Sequence, residues 1–480
     1  MNVDQRNRLF ATGKIDRDDL WPKVKDYEKR RFQFRWEFGL TDLPIQAGLI
    51  TIRGPRQIGK STWLELKLLS TIEEFGKGSA FFLNGDYIYS HDEFSDKLLD
   101  LEAAFNPRAK VKRIFIDEIT QIKDWQRVIK RLIDAGHLKD VLLITTGSNA
   151  ADLLRGAEKL PGRKGALNRT DFVFLPISFK EFYYQVRDEV GMFKDDAVWA
   201  YILSGGSPLA VDAIYRDEGI DDTFTTLISD WVLGDFAGSG RSRIFLTSIL
   251  RQLYKVAPNP ISYTKLAQNS GLSNNTAALD YIERLSDLLC IHPMMQWDSD
   301  KESPLVRKPS KLPFINLAVA WAFHPDAPRY LHELRNFKGQ QKGAMFEWVV
   351  AQELWRRLQL EAQTTPSADS QVNRQADSKI ILKKQKSIGS HAHLMYWASK
   401  ANEIDFVLPN GEMVEVKSGT SSALEFNWFR KTHPKKKLKV ICENAFDSDF
   451  SVGMTLKDFL LEAPSDLYFD SDRAPWLFDS

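Results

Sequence analysis

Cysteine is nearly absent. Cys290 and Cys442 are the only two in a chain of 480 residues, and they lie far apart. That excludes a disulfide-stapled scaffold and fits a reducing compartment. An excess of one charge is missing too: 65 Lys and Arg stand against 64 Asp and Glu, a net charge of +1. No global basic field advertises a nucleic-acid surface, so any such surface must be local. No apolar run reaches the about 18 residues of a membrane span. The first residues are charged (Asp4, Arg6, Arg8, Lys14, Asp16) rather than apolar, and no internal repeat is present. The expectation is a cytoplasmic chain with no membrane partner.

What is there is globular in proportion, with 43% hydrophobic and 27% charged residues. The length exceeds one ordinary core, and about three domains are expected, flanked by connecting segments. The boundaries read as an N-terminal arm over 1–40, a core over 41–185, a helical connector over 186–240, a helical unit over 241–325 and a C-terminal domain over 326–480. In the arm, Lys29 to Trp36 interleaves cations with rings. Such a run either binds nucleic acid by phosphate contact and stacking or packs as a preamble on the core; the expectation is packing.

The core is organised around Gly48 to Thr62, an apolar strand, a tight loop and the start of a helix. Inside it stands G-x-x-x-x-G-K-S, from Gly54 through Gly59, Lys60 and Ser61 to Thr62. Glycines let the loop curl so that backbone N–H groups point at phosphate oxygens. Lys60 then reaches the β and γ phosphates and Ser61 puts a hydroxyl on Mg²⁺. The following helix aims its positive end at the same anion. Apolar strands at 79–84, 112–118, 141–149 and 171–176 alternate with helix-length segments, which predicts an α/β fold with a parallel sheet. The strand over 112–118 ends in Asp117-Glu118, at the carboxyl end where ligands lie. Asp117 is placed to hold Mg²⁺ through water and Glu118 to take a proton from the attacking water. The next strand end offers Thr146, Ser148 and Asn149 to orient that water. In the loop beyond it, Arg163 is either a stabiliser of transition-state charge, possibly across a subunit boundary, or a surface ion pair.

Beyond the core, Gly205-Gly-Ser-Pro208 reads as a turn in a helical stretch. Segments 244–256, 262–271 and a third helix capped by Ser273 and running to about 289 have the spacing of a helix-turn-helix, winged in type. The third helix is net acidic, so docking or positioning is expected of it rather than base reading.

A second constellation lies near the C-terminus. Glu347 sits on an apolar helix. Asp405 lies on a strand over 403–408, and Glu415 and Lys417 share a face of a strand over 413–417. Asn410-Gly411 between the two strands signals a hairpin. Three carboxylates and one ammonium are what Mg²⁺-dependent phosphodiester hydrolysis needs. Glu347, Asp405 and Glu415 would hold the metal, and Lys417 would stabilise charge or help deprotonate the nucleophile. A mixed-charge solvated hairpin is the plain alternative. The basic run over 430–439 is suited to phosphate contact or is a solvated loop.

With these residues in hand, the chain resembles AAA-type P-loop ATPases of bacteria and archaea that carry a C-terminal PD-(D/E)xK nuclease-like domain. The matching pieces are GPRQIGKST (54–62), FIDEI (115–119), TTGSN (145–149), GR (162–163), LPISFKEF (175–182), GGSP (205–208), GAMFEWVVAQEL (343–354), EIDFVL (403–408) and VEVKSG (414–419). The resemblance implies a parallel-sheet P-loop ATPase core, a helical, winged-helix middle region and a C-terminal α/β restriction-endonuclease-like domain. It implies ATP with Mg²⁺ as cofactors, with Lys60, Ser61, Asp117 and Glu118 in the ATP site. It also implies a homo-oligomer, possibly a ring, with Arg163 as an inter-subunit finger, and Glu347, Asp405, Glu415 and Lys417 in the nuclease-like site. One departure is Asn316, where such proteins usually carry Asp. Two functions follow as expectations: an ATP-driven machine acting on DNA, or an ATP-dependent switch that assembles a protein partner and keeps the nuclease fold as a scaffold.

Overall fold

In the computed structural model the described residues are 1–147, 153, 156, 160, 165, 167–187, 192–216, 219–305, 307–365 and 393–462. Five parallel strands, β1 (Gly48–Arg53), β2 (Ala80–Asn84), β3 (Arg113–Asp117), β4 (Leu142–Gly147) and β5 (Asp171–Val173), form the first sheet in the order β2-β3-β4-β1-β5. The apolar runs read from the sequence all enter it, with shorter ends. Helices Lys60–Phe75, His91–Ala104 and Trp125–Asp134 follow β1, β2 and β3. Both faces are covered, so Ile50, Ile52, Ile114, Phe115 and Ile144 are almost fully buried. Because β4 lies between β1 and β3, Ile52 is paired with Thr146 and Ile116 with Thr145. The carboxyl ends of the three strands therefore open on one crevice.

Each edge of this sheet is covered by a side-chain amide from a distant part of the chain. At β2, on one edge, Asn7 of the helix Val3–Thr12 donates to the Phe82 carbonyl at 2.7 Å and accepts from the Phe82 N–H at 2.8 Å. At β5, on the other, Gln363 donates to the Val173 carbonyl at 3.2 Å and accepts from its N–H. Both amides satisfy backbone groups that an edge strand leaves open.

The interleaved run of cations and rings packs on the core. Phe32, Phe34 and Phe38 are buried, the Arg35 N–H donates to Glu181 at 2.9 Å, and the Arg31 guanidinium sits over the Tyr215 ring. Arg6 is fixed by Glu65 of the P-loop helix at 2.7 Å. The same carboxylate accepts from the Lys23 and Val24 N–H groups at the start of helix Pro22–Glu28.

The middle region holds helices Arg243–Val256, Tyr263–Ser270 and Asn275–Asp287. The third is capped by Asn274, not Ser273: its side chain accepts from the Ala277 N–H at 2.8 Å. Two of its charges are paired with neighbouring elements, Arg284 with Asp235 and Asp280 with Arg241, while Glu283 is exposed. Asn316 caps the helix Leu317–Ala322 by accepting from the Val319 N–H at 3.2 Å, a role that Asp and Asn fill alike.

A second sheet is mixed, with eight strands in the order β12-β13-β11-β10-β9-β8-β6-β7. These are β6 (Met295–Asp298), β7 (Ser303–Leu305), β8 (Met395–Ala398), β9 (Glu403–Val407), β10 (Met413–Val416), β11 (Leu438–Cys442), β12 (Phe446–Asp447) and β13 (Ser451–Thr455). The sheet crosses the boundary expected at 325, because β6 pairs with β8. The Asn-Gly signal is answered by an antiparallel β9–β10 hairpin with Met413 opposite Val407. One long helix, Gly339–Thr364, ties the two sheets together. Cys290 and Cys442 are free and buried, and among the described residues no helix is long and apolar enough to cross a membrane.

Candidate functional sites

The first site lies at the crevice of the parallel sheet. Gly59, at φ +101°, begins the P-loop helix, a backbone angle that glycine adopts at no steric cost. A Cβ on Gly59 would come 2.3 Å from the Trp36 ring. The Trp36 indole donates to the Ile58 carbonyl at 2.7 Å, so the N-terminal segment braces the loop. Gly54 and Thr62 bound the loop in sequence. A Cβ at Gly54 would meet Phe174 at 2.9 Å. Lys60 is buried and donates to the Gly54 carbonyl at 2.8 Å and the Pro55 carbonyl at 2.5 Å. Burial lowers its pKa to about 8, against the raising pull of Glu118 and Asp117. A buried ammonium that donates to two neutral carbonyls is the complement of a phosphate anion.

Asp117 ends β3, and the Thr146 and Ser61 hydroxyls both hydrogen-bond to its carboxylate. Burial pushes its pKa up and the Thr146 bond opposes that shift. Of the three water-orienting candidates, Thr146 is thus held on Asp117, while Ser148 and Asn149 lie outside the described residues, as does Arg163. Glu118 takes φ +49°, uncommon for a residue with a side chain. Its carbonyl approaches Gly85 so closely that a Cβ there would sit 2.2 Å away. Asp86, next in sequence, has its carboxyl pKa raised by burial and then by Glu118 and Asp117, a third acid at this crevice. Ser61 and Asp117 are a fitting donor set for Mg²⁺: one hydroxyl and one carboxylate, already in contact.

The turn at 205–208 closes one side of the crevice. The Ser207 hydroxyl donates to the Gln57 carbonyl of the P-loop at 3.0 Å. Gly205, at φ +61°, abuts Ala318 and accepts from Gln352 of the long helix at 3.5 Å. A cavity separates Pro55, Arg56 and Ile58 from Ser207, Asn316 and Gln352.

The second site lies where the long helix crosses the β9–β10 hairpin. Asp405 and Glu415 face each other and are locked to backbone: Asp405 accepts from the Val416 N–H at 2.9 Å and Glu415 from the Asp405 N–H at 3.3 Å. Lys417, half-exposed, donates to Glu415 at 2.7 Å. Burial, then the Asp405 charge, pushes Glu347 well up, and the same two causes raise Glu415 to about 8. All four residues read from the sequence are brought together, and two that it did not single out join them. Lys311 lies 2.5 Å from Glu403, 2.8 Å from Asp405 and 3.3 Å from Glu347. Burial opposes the Lys311 charge, but Asp405, Glu347 and Glu403 outweigh it and hold the ammonium well above the usual lysine range. Among the described residues no group of three His, Cys, Asp or Glu side chains is arranged to hold a metal ion. The carboxylates here converge on Lys311 and do not, as arranged, fit one. In the adjoining basic run, two lysines form ion pairs within the domain, Lys437 with Asp447 and Lys439 with Glu412 and Glu462.

A glycine-hinged loop with a buried lysine, a serine on an aspartate and a following glutamate define the crevice of the first sheet as that of a P-loop ATPase. A family model described as an AAA domain matches residues 46–183, and this part of the chain is an AAA-type P-loop ATPase domain. No curated protein matches the chain. Among solved structures, it is similar to a Walker-type ATPase of Pyrococcus abyssi at 13% identity, covering 64% of this chain and 95% of that one with a TM-score of 0.39. It is similar to a RuvB variant of Thermotoga maritima at 15% identity, covering 55% and 84% with a TM-score of 0.30. It is similar to Aeropyrum pernix Orc1 in complex with DNA at 12% identity, covering 68% and 92% with a TM-score of 0.24. These scores are too low to define a shared overall fold.

Proposed function

We propose that the chain is an ATP-hydrolysing machine that acts on DNA through a C-terminal domain of restriction-endonuclease-like fold. The observation that carries this reading is the joining of two polar centres by one helix. Gln352 of Gly339–Thr364 reaches the turn braced on the P-loop, and Glu347, little more than a helical turn away, enters the carboxylate cluster. In the first centre Lys60 binds the phosphates, Ser61 and Asp117 hold Mg²⁺, and Glu118 takes the proton of the attacking water. Mg²⁺ supplies neutralisation of the phosphate charge. Arg163 acts from a neighbouring subunit of a homo-oligomer. The segments 41–185, 186–240, 241–325 and 326–480 act as ATPase core, connector, winged-helix-like unit and nuclease-like domain, with 1–40 as a brace on the core.

In the second centre, Glu347, Asp405, Glu415 and Lys417 form the constellation of a phosphodiesterase, and Lys417 at the rim meets the backbone phosphate. Cleavage with Mg²⁺ is the stronger form of this reading and requires Lys311 to leave the carboxylates. Labelled single-stranded, duplex and branched DNA, incubated with wild type and Asp405→Ala with and without ATP and Mg²⁺, tests it. Retention on a gel is the expected result, and cleavage lost in Asp405→Ala would establish the stronger form. The absence of both retention and cleavage would overturn the DNA reading.

The engagement of Lys437 and Lys439 by carboxylates of their own domain favours a second reading, in which the ATPase is a switch that assembles a protein partner on the nuclease fold. In that case Lys60→Ala abolishes the cellular phenotype while Lys417→Ala leaves it intact.

A further inference from the structure

We infer that Lys311 is the resident cation of the C-terminal site: its ammonium fills the place among Glu347, Glu403 and Asp405 that a divalent ion would need, so the site as folded is closed to metal. The inference rests on the nuclease-fold reading above but is tested apart from it.

Three observations carry it. The first is position. Lys311 contacts carboxylates from the long helix and from β9 at 2.5 to 3.3 Å. Its side chain is 3% exposed, whereas that of Lys417 is 41% exposed and pairs with Glu415. The second is anchoring. Lys311 N–H donates to the Met294 carbonyl at 3.1 Å and its carbonyl accepts from the Met294 N–H at 2.8 Å. The ammonium is thus delivered by the segment between β7 and the helix Leu317–Ala322, paired with the residue that precedes β6, not by the hairpin that carries Asp405 and Glu415. The third is charge. Three carboxylates around one ammonium leave a net negative cluster, and a buried carboxylate without a partner is strongly disfavoured. The cluster needs a cation, and Lys311 provides it from within the chain. A small cavity lined by Leu253, Ala257, Met294, Glu347 and Trp348 adjoins Lys311.

The site then has two exclusive occupants. A shift of the Met294–Lys311 arm would remove the ammonium and leave Glu347, Glu403 and Asp405 facing a divalent ion. The test is a Mn²⁺ titration of the nucleotide-free full chain followed by electron paramagnetic resonance. Lys60→Ala serves as the parent, so that the ATP site does not contribute. Outer-shell changes alone move metal affinity by about 10–100-fold, so removing a cation from inside the cluster should tighten binding by at least about tenfold. The expected result is no Asp405-dependent Mn²⁺ binding in the parent. Lys311→Met should gain one Mn²⁺ site, with a thermal midpoint that Mn²⁺ raises, and adding Asp405→Asn should abolish it. A parent that binds Mn²⁺ in a manner lost on Asp405→Asn overturns the inference, as does a folded Lys311→Met that gains no site. If Lys311→Met does not fold, the parent and its Asp405→Asn partner decide alone: equal, weak binding supports the inference and Asp405-dependent binding refutes it. DNA retention plays no part in this readout, so its loss would sink the DNA reading without touching the metal result.

Discussion

At the scale of residues, the buried Lys60 makes the clearest prediction. Its pKa in the nucleotide-free protein is lowered to about 8 by burial. Between that value and the unfolded lysine's, the folded state holds fewer protons than the unfolded one, so Lys60 makes stability rise with pH across this window. A bound triphosphate needs the ammonium. Above about pH 8, nucleotide affinity should therefore fall by up to about tenfold per unit. Equilibrium binding of a fluorescent ATP analogue from pH 7 upward checks this, and a flat profile would contradict it. Glu118→Gln keeps the shape of the side chain and removes the base. Binding should persist while turnover falls by about 10²–10⁴-fold, measured by steady-state phosphate release. Equal turnover would exclude Glu118 as the base. Lys60, Ser61, Asp117 and Glu118 were legible because a short motif and a strand end carry them in sequence. Trp36, Asp86, Lys311 and Glu403 were not, because each is an ordinary residue of its type until tertiary packing brings it to a site.

At the scale of elements, the strands of the first sheet were legible from uninterrupted apolar runs, and the β9–β10 hairpin from its Asn-Gly turn. What closes the sheet edges was not. Asn7 and Gln363 lie 75 and 190 residues from the strands they cover, and nothing local distinguishes an edge-capping amide from a surface one. Each exchanges hydrogen bonds with a backbone N–H and C=O. Asn7→Ala and Gln363→Ala should each cost about 1–3 kcal/mol, the penalty of leaving buried polar groups unpaired. Urea unfolding measures both. A loss under about 0.5 kcal/mol, the size of an ordinary surface change, would mean the edges are not sealed by these amides. Strand pairing across the boundary expected at 325 was hidden for a related reason. β6, with β7 on its outer side, comes from before residue 325 and pairs with β8 from after it.

At the scale of the whole molecule, the long helix Gly339–Thr364 is the structural link between the two centres. Along its length Glu347 enters the carboxylate cluster, Gln352 meets the turn at 205–208, and Gln363 seals β5. Glu353 and Arg356 pair within the helix at 2.9 Å and are almost fully buried, while Arg356 reaches Glu37 at 3.7 Å and Arg357 donates to the Phe459 carbonyl at 2.5 Å, which ties the helix to its neighbours. A change in the P-loop therefore has a packed route to the C-terminal site. The most direct test of an ATP-driven machine acting on DNA is the rate of ATP hydrolysis by the full chain as DNA is titrated in. Lys60→Ala serves as the blank. The rate should rise with DNA and saturate, with no hydrolysis in Lys60→Ala. A wild-type rate unchanged by single-stranded, duplex or branched DNA would contradict it.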